Sequence, residues 1–138
     1  MAGILALTGC KSAGQADYRM DCKTSNRSGV CTLVISELAG VFNRQEISNQ
    51  NFWPGADNVE VTVSAQVEHG TVKFWLEDRD KQVTSAIVEP GQLIQIQGKA
   101  RLNNIGDQRS FYVYFEALGE GEFKRAENLR AEIRYDMP

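Results

Sequence analysis

Five stretches of this chain alternate apolar and polar residues with a period of two, and no other feature constrains its fold as strongly. Val59, Val61, Val63, Ala65 and Val67 face away from Glu60, Thr62, Ser64, Gln66 and Glu68. Val72, Phe74 and Leu76 alternate with Lys73, Trp75 and Glu77, and Ile94 and Ile96 continue through Gly98 to Ala100 and Leu102. Phe111, Val113, Phe115 and Ala117 alternate with Tyr112, Tyr114, Glu116 and Leu118. Leu129, Ala131, Ile133 and Tyr135 alternate with Asn128, Arg130, Glu132 and Arg134. Successive side chains of a strand point to opposite faces, so each stretch reads as a strand with one face in a core and one in water.

Turn chemistry separates these stretches: His69-Gly70, predicted as a hairpin turn, then Asp78 to Gln82, Glu89-Pro90-Gly91, Asn103 to Asp107 and Gly119-Glu120-Gly121. Val83 to Val88 is a further short strand, and two more flank the cysteines Cys22 and Cys31. About eight strands in two antiparallel sheets follow, an all-β sandwich of immunoglobulin-like or jelly-roll-like type. A helix is conceivable around Glu37 to Gln45, although Gly40 weakens it. Val41 to Asp57 holds Phe42, Ile47, Phe52, Trp53 and Pro54 without a sustained period, and reads as a crossover on the sandwich edge or a binding loop.

With 138 residues the chain has the size of one domain, and with 42% hydrophobic residues it can build a core unaided. A net charge of −3 leaves no basic footprint for nucleic acid. No run reaches the length needed for a membrane-spanning helix.

The N-terminus carries a different signal. A short apolar run, Ala2 to Leu7, ends in Leu7-Thr8-Gly9-Cys10, which resembles the lipobox of bacterial lipoproteins. The resemblance implies a leader over 1–9, lipid on Cys10, and a polar tether over 10–16 before a sandwich domain over 17–138. Only Met1-Ala2-Gly3 precede Ile4, so either the leader is truncated or the translation start is placed too late. The competing reading is a plain N-terminal tail. Lys11 rather than aspartate after the cysteine implies, for this class of signal, the outer membrane of a host that has one. If Cys10 carries lipid, Cys22 and Cys31 remain as an even pair, with the polar stretch 24–29 between them reading as a turn; a disulfide is expected, in keeping with an oxidising compartment. A metal site is the rival and lacks ligands, because the chain has a single histidine.

No catalytic constellation is evident. His69 beside Gly70 reads as an exposed turn residue, and Gly119-Glu120-Gly121-Glu122 lacks the lysine and helix of a phosphate cradle. Asp78 and Asp80 could be calcium ligands, but Arg79 and Lys81 oppose a cation, and solvated turn charges are the simpler reading. The chain is therefore expected to be non-enzymatic, without metal or cofactor.

Trp75, Tyr112 and Tyr114 stand on the polar side of their strands. Were those strands neighbours, the rings and Lys73 would form a recognition patch for a carbohydrate or an envelope protein, with Trp53 as a further candidate. The alternative is that the rings are covered by the 41–57 segment, or simply pair across strands. The expected occupation is a membrane-anchored binding or assembly module. A structural subunit of an envelope complex and a small hydrolase stand behind it.

Overall fold

The computed structural model describes residues 15–25, 28–39, 41–48, 58–105, 108–119 and 124–136. Ten strands run along these residues: β1 (Gln15–Thr24), β2 (Ser28–Ala39), β3 (Val41–Ser48), β4 (Asn58–His69), β5 (Thr71–Asp78), β6 (Lys81–Val88), β7 (Ile94–Arg101), β8 (Asn103–Ile105), β9 (Gln108–Leu118) and β10 (Arg125–Asp136). The first sheet has the order β1-β2-β10-β4-β7; the second runs β3-β9-β5-β6, with β8 paired to β9. Every pairing is antiparallel. The two-sheet sandwich expected from the alternation is thus the fold.

All eight strands read from the sequence are present. The two additions are the short β8 and β3, which forms the start of the segment whose period could not be read. The residues 37–45 form no helix among the described positions: they end β2 and begin β3. Phe42, Ile47 and their β-branched and polar neighbours satisfy their backbone groups by pairing with β9 instead. Strand β1 begins at Gln15, two residues inside the stretch assigned to a tether. The leader, Cys10 and Trp53 lie outside the described residues.

The inward faces meet as the alternation requires. Val59, Val61, Val63 and Ala65 of β4 and Leu129, Ile133 and Tyr135 of β10 are buried against Val72, Phe74 and Leu76 of β5 and Phe111, Val113 and Phe115 of β9. Phe74 and Phe115 are direct partners across β5 and β9, with ring centroids 6.2 Å apart, and Phe111 meets Tyr135 edge-on at 5.8 Å. The Tyr135 ring lies over Gly29 of β2, where an added Cβ would come within 2.3 Å of it, so the glycine is what lets that ring reach the core.

His69-Gly70 corrects an expectation. It does not close a hairpin, since β4 belongs to the first sheet and β5 to the second. The chain changes sheets through Gly70, whose φ of 89° is costly for any other residue and whose missing Cβ leaves room for the Arg125 carbonyl. The apolar period is unbroken on either side of the turn, so alternation alone cannot tell a hairpin from a step between sheets.

Cys22 and Cys31 are bonded to each other as direct partners across β1 and β2, with Cα atoms 4.0 Å apart. The bridge ties edge strand β1 to the sheet. Replacing both cysteines by alanine is expected to cost about 2–3 kcal/mol from loop-closure entropy over so short a separation, read as a lower urea midpoint with β1 amides losing exchange protection first.

Candidate functional site

The outer face of the second sheet is where the aromatic candidates meet. Opposite residues of an antiparallel pair share a face, and the register sets Trp75 against Tyr114, Lys73 against Glu116, and Glu77 against Tyr112. The Trp75 and Tyr114 rings stack at 5.1 Å with an interplanar angle of 3°. Lys73 brings its ammonium to 5.4 Å from the Trp75 ring centroid, and the indole Nε1 donates to Glu77 Oε2 at 3.2 Å. Lys73, Trp75, Tyr112 and Tyr114 are each half-buried. Three of the four described candidates are therefore in direct mutual contact through Trp75, and Tyr112 adjoins them on β9, opposite Glu77.

Strand β3 lies beside β9 in the same sheet, with Glu46 opposite Tyr112. The residues 41–48 thus flank the aromatic face as its edge rather than lying over it. On the other side, β6 sets Ser85 opposite Trp75 and Ile87 opposite Lys73, both exposed. These two residues, with Glu77 and Glu116, complete the face and were not singled out in the sequence. For Ser85 and Ile87 the signal is hidden by a register shift between Leu76 and Glu77, which puts an extra residue, Val83, into β6 and disguises its period. The face combines π-surface at its centre with hydrogen-bonding and charged groups around it. Its cation–π contact is of a kind worth only about 0.5–1 kcal/mol at an exposed site, so an incoming group can displace Lys73.

Asp78 behaves unlike the solvated turn charge expected of it. It is 8% exposed, its Oδ1 accepts from the Asp80 amide and its Oδ2 from the Arg101 amide, both at 2.7 Å. Arg79 N–H also donates to the Arg101 carbonyl. Since Arg101 ends β7, the carboxylate joins the β5–β6 turn of one sheet to the edge of the other. The sequence did contain a cue: Asp78 continues the inward series Val72, Phe74, Leu76. Asp80 pairs at the surface with Arg101. Among the described residues no group of three or more His, Cys, Asp or Glu comes together to hold a metal. His69 is exposed, as read from the sequence.

No family model matches the chain, and no curated protein matches it. Among solved structures it is similar to the CBM22-1 xylan-binding domain from Paenibacillus barcinonensis Xyn10C, at a TM-score of 0.50 and 16% identity, over 91% of this chain and 85% of that one. Bacillus endospore appendages, described as disulfide-linked pili, align at a TM-score of 0.37 and 14% identity over 96% and 99% of the two chains. At such identities the likeness to the xylan-binding domain is one of fold, a β-sandwich of matching extent.

Proposed function

We propose that the chain is a non-catalytic binding module of the cell envelope, held to a membrane by lipid on Cys10, that takes a glycan on the outer face of the second sheet. The observation that carries the ligand reading is the Trp75–Tyr114 stack, half-buried on the outer face of the second sheet and bordered by Lys73, Glu77, Ser85 and Glu116. Aromatic surface packs against the apolar C–H face of a sugar ring, while the bordering groups hydrogen-bond its hydroxyls; flat rings lose little side-chain entropy in doing so. That a xylan-binding domain shares the fold supports the same reading.

Two observations support the address. Leu7-Thr8-Gly9-Cys10 resembles a lipobox, and the Cys22–Cys31 bridge leaves Cys10 as the remaining cysteine, in keeping with an oxidising compartment. Gln15, where β1 begins, lies within about 18 Å of Cys10 even if the residues between are fully extended. On this reading the end of the sandwich nearest the membrane is the one where Gln15, Ala39 and Arg125 align. The intact mass of the protein from its own host checks the anchor: a chain starting at diacylated Cys10 supports it, and an unmodified Cys10 contradicts it.

Replacing Trp75, Tyr112 and Tyr114 together by alanine is expected to weaken binding at least ten-fold in affinity electrophoresis against soluble neutral polysaccharides, with the circular dichroism of the sandwich kept. Unchanged retardation of the folded variant would sink the assignment of this face.

A further inference from the structure

The opposite face of the sandwich, the outer side of the first sheet, is uneven. Strand β4 sits between β10 and β7 and presents short side chains at its middle, Thr62 and Ser64, both half-buried. Its neighbours present long ones: Gln95 and Gln97 stand opposite Ser64 and Thr62 from β7, and Arg130 and Arg134 stand opposite Gln66 and Thr62 from β10. Long side chains flanking the short floor at Thr62 and Ser64 make a trough along β4, with the long side chains of Glu60 and Gln66 at its two ends, roughly 20 Å apart at the usual strand rise.

Both cavities described on the molecule lie along this trough. One, of about 570 Å³, is formed where Gln66 and Arg130 face Gln92, Leu93 and Asn128. The other, of about 340 Å³, lies between Thr62, Gln97 and Arg134 at the far end. Ser64 Oγ, donating to Gln95 Oε1 at 3.3 Å, joins the floor to one wall between them.

The lining specifies a chemistry. Among the described residues no aromatic ring borders either hollow except Tyr135, which is buried in the core. Carboxamide, hydroxyl, guanidinium and carboxylate groups alternate along the walls, and groups with two adjacent hydrogen-bonding atoms match the neighbouring hydroxyls of a sugar. Arg130, Arg134 and Lys99 are interleaved with Glu60, Glu68 and Glu132, so no strong field of either sign selects a charged ligand. Arg134 is moreover already engaged by Glu132 at 2.6 Å.

We propose that this trough is a second binding site, for an uncharged, extended polyhydroxylated chain held by hydrogen bonds rather than by ring stacking. It is independent of the aromatic face and lies on the other side of the sandwich. The module could then engage two glycan chains at once, or two stretches of one. Without stacking, and open to water, the trough is the weaker of the two sites.

Backbone amide shifts of the folded domain, titrated separately with xylohexaose, cellohexaose and mannohexaose, test the assignment. At least one of these probes is expected to perturb amides within 60–68, 95–99 and 130–134. Ser64→Tyr, which fills the floor from the solvent side, is expected to weaken those perturbations at least ten-fold with the melting temperature kept. Arg130→Ala provides a second variant should Ser64→Tyr disturb the fold, and is expected to weaken them in the same direction. Trp75→Ala is expected to leave them unchanged. Silence in the trough with all three probes at millimolar concentration would overturn the proposal. So would trough perturbations that survive both trough variants, or that vanish with Trp75→Ala.

Discussion

Phe115→Ala is expected to lower the unfolding free energy by about 3–5 kcal/mol, the largest loss from any single substitution considered for this domain. Phe115 is fully buried on β9 and stacked on Phe74. Truncation removes the ring's transfer free energy and leaves a hole that two hydrogen-bonded sheets cannot close without breaking register. Urea unfolding gives the number directly: a lower midpoint with an unchanged slope is expected, and Phe115→Leu is expected to lose clearly less. A loss below about 1 kcal/mol for the alanine variant would contradict the position of this ring in the core.

Asp78→Ala comes second, at about 2–4 kcal/mol. The carboxylate is nearly buried and accepts two backbone N–H groups, one on its own turn and one on β7. Removing it strands those donors and unties the end of one sheet from the other, and charge-assisted bonds of this kind are the stronger class. Asp78→Asn keeps one acceptor and is expected to fall between wild type and alanine. Hydrogen exchange provides the local readout: the Asp80 and Arg101 amides should lose protection in the alanine variant well beyond the global change. Equal protection in wild type and variant would mean that the clamp contributes nothing.

The two residues also show what could be read from the sequence. Phe115 belongs to a clean alternation, and its burial follows from the period alone. Asp78 belongs to the same kind of alternation on β5, yet in the sequence residue type outweighs position, and an inward carboxylate reads as a surface charge. The backbone donors that justify its burial come from Arg101, 23 residues away, and no local pattern announces them. His69-Gly70 failed for a related reason, because which sheet a strand joins depends on pairings distant in sequence. The aromatic face was legible in part. Period placed Trp75, Tyr112 and Tyr114 outside the core, but only the register of β5 with β9 brings them together. The trough was not legible, since it arises from side-chain lengths on three strands that are not consecutive in the chain.

The central claim is that a glycan meets Trp75. Trp53→Phe leaves Trp75 as the chain's remaining tryptophan, so its emission reports on the proposed face alone. Titration of the folded Trp53→Phe protein with a polysaccharide that retards it in affinity electrophoresis is expected to give a saturable change in emission and protection from acrylamide quenching. Retention by the polysaccharide with Trp75 emission and quenching unchanged would contradict the claim.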